Sequence, residues 1–190
     1  PTTADKLNLY LMACESGKTK SSIDSTFISP LTIFQNEIVE HATSTSDFDL
    51  RALRREKITI YFHISANDLI LAPQVANLFM SMVIANNIDQ LPETNPALKY
   101  QLLLLMDEFT AVGMLSIINK SVGFIAGYGL RLLIIYQSQG QLRADKPNGY
   151  GKDGAKNILD NIACKILYAP DNQEDAEEYS KVLGNRTVDK

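Results

Sequence analysis

The sequence predicts an α/β chain in which a helical lead-in precedes a parallel sheet flanked by helices. Three observations carry this. Apolar residues recur at helical spacing over residues 1 to about 45. From Ile58 onward, short apolar or β-branched runs alternate with helix-length segments, the pattern of βαβ units. The composition, 45% hydrophobic and 21% charged over 190 residues, is rich enough for a core and excludes disorder as the main state. That length suits one domain, or one plus a fragment, and the division expected is a helical segment over 1–45 and an α/β part over 46–190.

In chain order, Leu7, Tyr10, Leu11 and Cys14 mark one helical face. Ile23, Phe27, Leu31, Phe34 and Ile38 mark a second, with Pro30 expected to kink or break it. His41 to Asp49 is a polar separator. Ile58 to Ile64 reads as a strand, being rich in β-branched and aromatic residues. Pro73 suits the first turn of a helix whose stripe is Val75, Leu78, Phe79, Met82 and Val83. A polar linker with Pro92 and Pro96 leads to Leu102–Met106, a continuous apolar run expected to be a strand covered on both faces. A helix over Ser116 to Ala126 should end at Gly127 or Gly129 and lead into a strand at Leu130 to Tyr136. A short helix is expected over Asp153 to Asn161 and a fourth strand over Ala163 to Tyr168. Asp171 or Asn172 should cap a last helix that Gly184 closes, with Glu174, Asp175, Glu177 and Glu178 favouring its positive end.

The net charge of −4 argues against a chain-wide grip on nucleic acid, although a local basic stripe stays open. No apolar run reaches the roughly 18–20 residues needed to cross a membrane. The opening Pro1-Thr-Thr-Ala-Asp resembles the start of a cut or processed piece. Cys14 and Cys164 lie far apart and read as free thiols in a reducing compartment, most simply as small buried hydrophobes.

The sharpest chemical feature is the acid pair Asp107 and Glu108, directly after Leu102–Met106. Ligands of parallel α/β sheets bind beyond the carboxyl ends of the strands. A buried run ending in two carboxylates has the form of a Walker B, in which the Asp holds Mg²⁺ and the Glu polarises attacking water. The plainer alternative is a pair of acids solvating a strand end. Gln137 follows the next apolar run and should reach the same sheet edge, as does the γ-phosphate sensor of RecA-like motors. Its alternative is a hydrophilic connection continuing through Ser138, Gln139 and Gln141.

Other features carry less. Ser16-Gly17-Lys18-Thr19 contains GKT, but a phosphate-binding loop needs Gly where Met12 stands, and no strand precedes it. Gly123, Gly127 and Gly129 lie at a helix C-terminus, the wrong end for anions. Arg51, Arg54, Arg55 and Lys57 are interleaved with Asp49 and Glu56 and read as a solvated helix. The stretch PNGYGKDG, flanked by Lys146, Lys152 and Lys156, reads as a surface loop. His41 and His63 lack metal-ligand spacing and read as structural.

The run LLLLMDEFTAVGMLSIINKSVGFIAGYGLRLLIIYQSQGQLR strongly resembles the motor domain of type IV secretion coupling proteins, the TraG/TraD kind, which are FtsK-like hexameric ATPases. The blocks SSIDSTFISPLTIF, SDFDLRALRREKITIYFHIS and CKILYAPDNQEDAEEYSKVLG extend the likeness from about Ser21 to Val188. The resemblance implies part of a RecA-like P-loop NTPase domain whose Walker A strand, loop and helix lie upstream. Residues 1–45 would then be the end of, or return from, an inserted all-α domain. It implies Asp107 as metal ligand and cofactor-binding residue, Glu108 as catalytic residue, and Gln137, in the motif III position, as both a catalytic and a cofactor-binding residue, with ATP and Mg²⁺ as cofactors of the intact protein. This stretch alone should hydrolyse ATP poorly. Arg131 sits where several relatives carry a basic residue, while Ala126 stands where some carry an inter-subunit arginine. The implied setting is the cytoplasmic side of the bacterial inner membrane. Implied partners are secretion-channel ATPases, inner-membrane components, and relaxase–DNA complexes or protein effectors, with self-association as a hexamer. Rival readings are a catalytically silent docking platform for effectors or accessory proteins and, less well supported, a metal-dependent nuclease, which needs more converging ligands than the pair.

Overall fold

A computed structural model describes residues 17–65, 68, 73–170 and 172–184. The helical face of Leu7 to Cys14 and the capping candidate Asp171 lie outside them. Among the described residues are seven α-helices, two 3₁₀ segments and one parallel pair of strands, so the chain is α/β. It divides into two compact units, 1–48 and 49–190.

In the first unit, helix α1 (Gly17–Ile28) gives way at Pro30 to a 3₁₀ segment, Ser29–Gln35. Pro30 sits in the first turn of that segment, where its missing N–H does least harm. The break falls where the sequence places it. Helix α2 (Glu37–Thr43) follows, and Asn36 caps it by accepting from the Ile38 and Val39 N–H groups. Gly17 to Thr19 open α1.

The second unit begins with a 3₁₀ segment, Leu50–Arg54, capped by Asp49. Helix α3 (Pro73–Ala85) starts at its proline as expected. Its buried face is Ala76, Val83 and Ile84, whereas Leu78 and Met82 of the expected stripe are exposed. Strands β1 (Leu102–Met106) and β2 (Leu130–Ile134) pair in parallel with Leu102 opposite Leu130 and Met106 opposite Ile134. Helix α4 (Ser116–Ser121) connects them, shorter than expected because tight turns run on from Val122 to Gly129. Gly129, at φ 77°, turns the chain into β2. Helices α5 (Gln139–Arg143), α6 (Gly151–Asn161) and α7 (Gln173–Leu183) complete the unit. Asn172 caps α7 by accepting from the Asp175 N–H, and Gly184 ends it at φ 70°.

The core lies on one face of the strand pair. Leu104 and Met106 point into it with Leu130, where they meet Phe109, Leu115, Ile118, Leu142, Tyr150 and Ile158. Strand side chains alternate, so Leu103 and Leu105 point the other way and are 56% and 58% exposed. The expectation of a strand covered on both faces is therefore corrected within the described residues.

Further expectations are corrected. Ile58–Ile64 and Ala163–Tyr168 are in no sheet among the described residues, and Tyr61 and Tyr168 are largely exposed. Apolar, β-branched composition makes a segment fit for a ladder, but only a partner strand makes the ladder. Arg54 is not solvated; it is 1% exposed, and its guanidinium donates to the carbonyls of Asn87 (3.0 Å) and Gln90 (3.2 Å). Burial pulls that group's pKa down against the opposing pull of Asp89 and Glu93. The PNGYGKDG stretch is no simple surface loop, because Tyr150 within it is fully buried. Cys164 is exposed rather than a buried hydrophobe, as are His41 and His63. No helix among the described residues is long and apolar enough to cross a membrane.

Candidate functional site at the ends of the parallel strands

The site grows out of the strand pair. Past the end of β1 the ladder continues, with the Ile135 N–H donating to the Met106 carbonyl (2.9 Å) and the Phe109 N–H to the Ile135 carbonyl (2.8 Å). Between those bonds the chain turns, and Asp107 and Glu108 project beyond the carboxyl end of β1, both exposed. β2 delivers Gln137 to the same edge.

The turn is strained at the second acid of the pair. Glu108 has φ 55°, a left-handed backbone that side chains with a Cβ rarely adopt. What holds it there is the next residue. Phe109 is 1% exposed and stacks on Tyr150, ring centroids 5.3 Å apart. The Tyr150 hydroxyl in turn accepts from the Leu115 N–H (3.1 Å), and burial pushes its phenol pKa up. At Gly113, φ 69°, an added Cβ would stand 2.9 Å from the Pro147 carbonyl oxygen, so the loop lies flush against the 145–150 segment. Backbone strain of this kind, held by the packing around it, clusters at active sites, ligand clamps and switch regions.

The polar side chains at this edge form a connected set. Gln137 Nε2 donates to both Glu108 oxygens, at 3.1 and 3.2 Å. Gln141 Nε2 donates to Gln137 Oε1 (3.3 Å), and Thr110 Oγ1 donates to Gln141 Oε1 (3.3 Å). Two of the three sequence candidates, Glu108 and Gln137, are thus brought into direct contact from strands separated by a helix; Asp107 adjoins them on the turn. Gln141 and Thr110 were not singled out by sequence reasoning. A signal existed: Ser138-x-x-Gln141 is a capping-box spacing, and Ser138 does accept from the Gln141 N–H (3.2 Å) to start α5. The stretch read as a polar connection is that helix.

Among the described residues no group of three or more His, Cys, Asp and Glu could hold a metal. Two adjacent exposed carboxylates nevertheless suit Mg²⁺, which favours one or two protein carboxylates and completes its octahedron with water and phosphate oxygens. Arg131, the other residue noted near β2, donates to the Ala126 carbonyl (2.7 Å) and so braces the turn before its strand.

Comparison with known proteins gives consistent results. The family model described as "Type IV secretory system Conjugative DNA transfer" matches residues 3–190. The chain is 29% identical over 173 residues to the conjugal transfer protein TraG of Escherichia coli, covering 88% of this chain and 27% of that protein. It is 34% identical over 158 residues to the protein VirD4 of Rhizobium radiobacter, covering 83% of this chain and 22% of that one. A VirD4 protein of Agrobacterium fabrum is 31% identical over 157 residues, 83% of this chain and 23% of its own length. The chain thus spans about a quarter of the length of these curated relatives.

Proposed function

The chain belongs to the type IV secretory system conjugative DNA transfer family, and from that premise we propose that it supplies the hydrolytic edge of an ATP-driven coupling protein. The observation that carries the reading is the contact between Glu108 and Gln137 at the ends of two parallel strands. In this account the strand pair is part of a RecA-like P-loop NTPase domain, and the intact protein contributes the phosphate-cradling loop from outside this stretch. Asp107 would hold Mg²⁺, which when bound neutralises phosphate charge. Glu108 would accept a hydrogen bond from the attacking water and orient it, its carboxylate held forward by the strained turn. Gln137 carries two N–H donors: one suffices for Glu108, leaving the other for a terminal phosphate oxygen of ATP. A side chain bonded to both would register whether that phosphate is present.

The wider role follows from the family. We infer that the intact protein works at the bacterial inner membrane as a hexamer and passes relaxase-bound DNA or protein substrates to the secretion channel and its ATPases. The test is a transfer assay. Donor cells carrying Glu108→Gln in the full-length protein, expressed at parental level, should lose DNA transfer by at least about a hundredfold, as expected for removal of a catalytic acid–base group. Undiminished transfer would refute the motor and favour a catalytically silent docking platform.

A further inference from the structure

We propose that Gln141 and Thr110 are positioning residues that fix which way the Gln137 amide faces. The inference rests on the reading of Glu108 and Gln137 as the hydrolytic pair and extends it. A glutamine amide has an oxygen on one side and an NH₂ on the other, so by itself Gln137 presents either to the site. An ionised carboxylate only accepts, which sets one side: the NH₂ must face Glu108. Gln137 Oε1 then points away and needs a donor, supplied by Gln141 Nε2 at 3.3 Å. That choice leaves Gln141 Oε1 needing a donor in its turn, and the Thr110 hydroxyl supplies it at 3.3 Å. Each side chain thus donates to the next, in one direction, from Thr110 through Gln141 and Gln137 to Glu108.

The series is exposed, so its order must come from what carries it. Thr110 follows the buried Phe109 in the turn after β1, and Gln141 stands in the first turn of α5. α5 is fixed from below by Leu142, fully buried, whose carbonyl accepts from the Tyr150 N–H (3.0 Å). The same Tyr150 stacks on Phe109. Both ends of the series, Thr110 and Glu108, therefore flank a residue stacked on Tyr150, and its middle member Gln141 stands on a helix hydrogen-bonded to the same tyrosine, so one buried side chain ties the supports together. Such a support holds a reacting group in place without touching the reactant.

The experiment is steady-state ATP hydrolysis by the full-length protein bearing Gln141→Met, Thr110→Val, Thr110→Ser or the Met/Val double substitution. Loss of one neutral hydrogen bond that orients the amide should lower kcat about fivefold with KM for ATP changed less than about twofold. Thr110→Ser, which restores the hydroxyl, should recover the parental kcat. The double variant should be no slower than Gln141→Met, because both changes break one series. Parental kcat in Gln141→Met, or a Thr110→Val loss that Ser does not recover, overturns this inference while leaving the hydrolytic pair standing. Turnover indifferent to Glu108→Gln overturns the pair and this inference together.

Discussion

The left-handed turn at Glu108 makes a prediction that runs against ordinary experience with glycine. At a residue of normal φ, replacing Ala by Gly destabilises by about 0.5–1 kcal/mol, because glycine loses more backbone freedom on folding. At φ 55° the order should reverse. A Cβ in the left-handed region costs about 1–2 kcal/mol, and Gly escapes it. Setting the middle of one range against the middle of the other leaves Glu108→Gly more stable than Glu108→Ala by roughly 0.75 kcal/mol. Both variants lose the Glu108 carboxylate and its bonds to Gln137, so the comparison isolates the backbone. In urea unfolding with an m-value of about 2.5 kcal/mol/M, the Gly variant should have a midpoint about 0.3 M higher. An Ala variant as stable as the Gly variant, or more so, would show that the turn is unstrained, and would remove strain from the account of why this carboxylate projects.

Three other variants test the packing of the second unit. Arg54→Met keeps the apolar stem but strands the carbonyls of Asn87 and Gln90, and should destabilise by about 2–4 kcal/mol in denaturant unfolding. Tyr150→Phe leaves the buried Leu115 N–H without its acceptor, a loss of about 1–3 kcal/mol. Because burial raises the Tyr150 pKa above its ordinary 10.0, the unfolded chain releases that proton first, so stability should fall as pH rises past about 10, and less steeply in Tyr150→Phe. Gly113→Ala combines φ 69° with a 2.9 Å approach to Pro147, and should destabilise by about 2 kcal/mol and loosen the Glu108 turn, read as faster amide exchange over 107–115.

What could be read in the sequence divides along the local and the non-local. Pro30, Pro73 and Gly184 act through their own backbone and Asn172 through a side chain that caps an N–H three residues on, and each marks an element end where it should. Leu102–Met106 and Leu130–Ile134 became the parallel pair because the intervening segment is long enough for a crossover. Ile58–Ile64 and Ala163–Tyr168 have equally strand-like composition, but a ladder depends on a neighbour that composition does not name. Arg54 looked solvated because its sequence neighbours are charged, while its burial is set by carbonyls 33 and 36 residues away. Tyr150 was hidden among glycines that suggested a loop; Gly149 in fact has no room for a Cβ, which would lie 2.5 Å from the Ala144 carbonyl oxygen. At the site, the strand-end rule picked out Asp107, Glu108 and Gln137. Which carboxylate meets Gln137 depends on the turn geometry at Glu108, which residue types do not encode.

The measurement that bears most directly on the hydrolytic reading is Mg²⁺-dependent ATP binding and turnover by the full-length protein with and without Glu108→Gln. A carboxylate that orients water acts in the transition state, so the variant should bind ATP within a few-fold of the parent and turn it over at least about a hundredfold more slowly. A variant that turns ATP over at the parental rate would contradict the assignment of this strand-end carboxylate to hydrolysis.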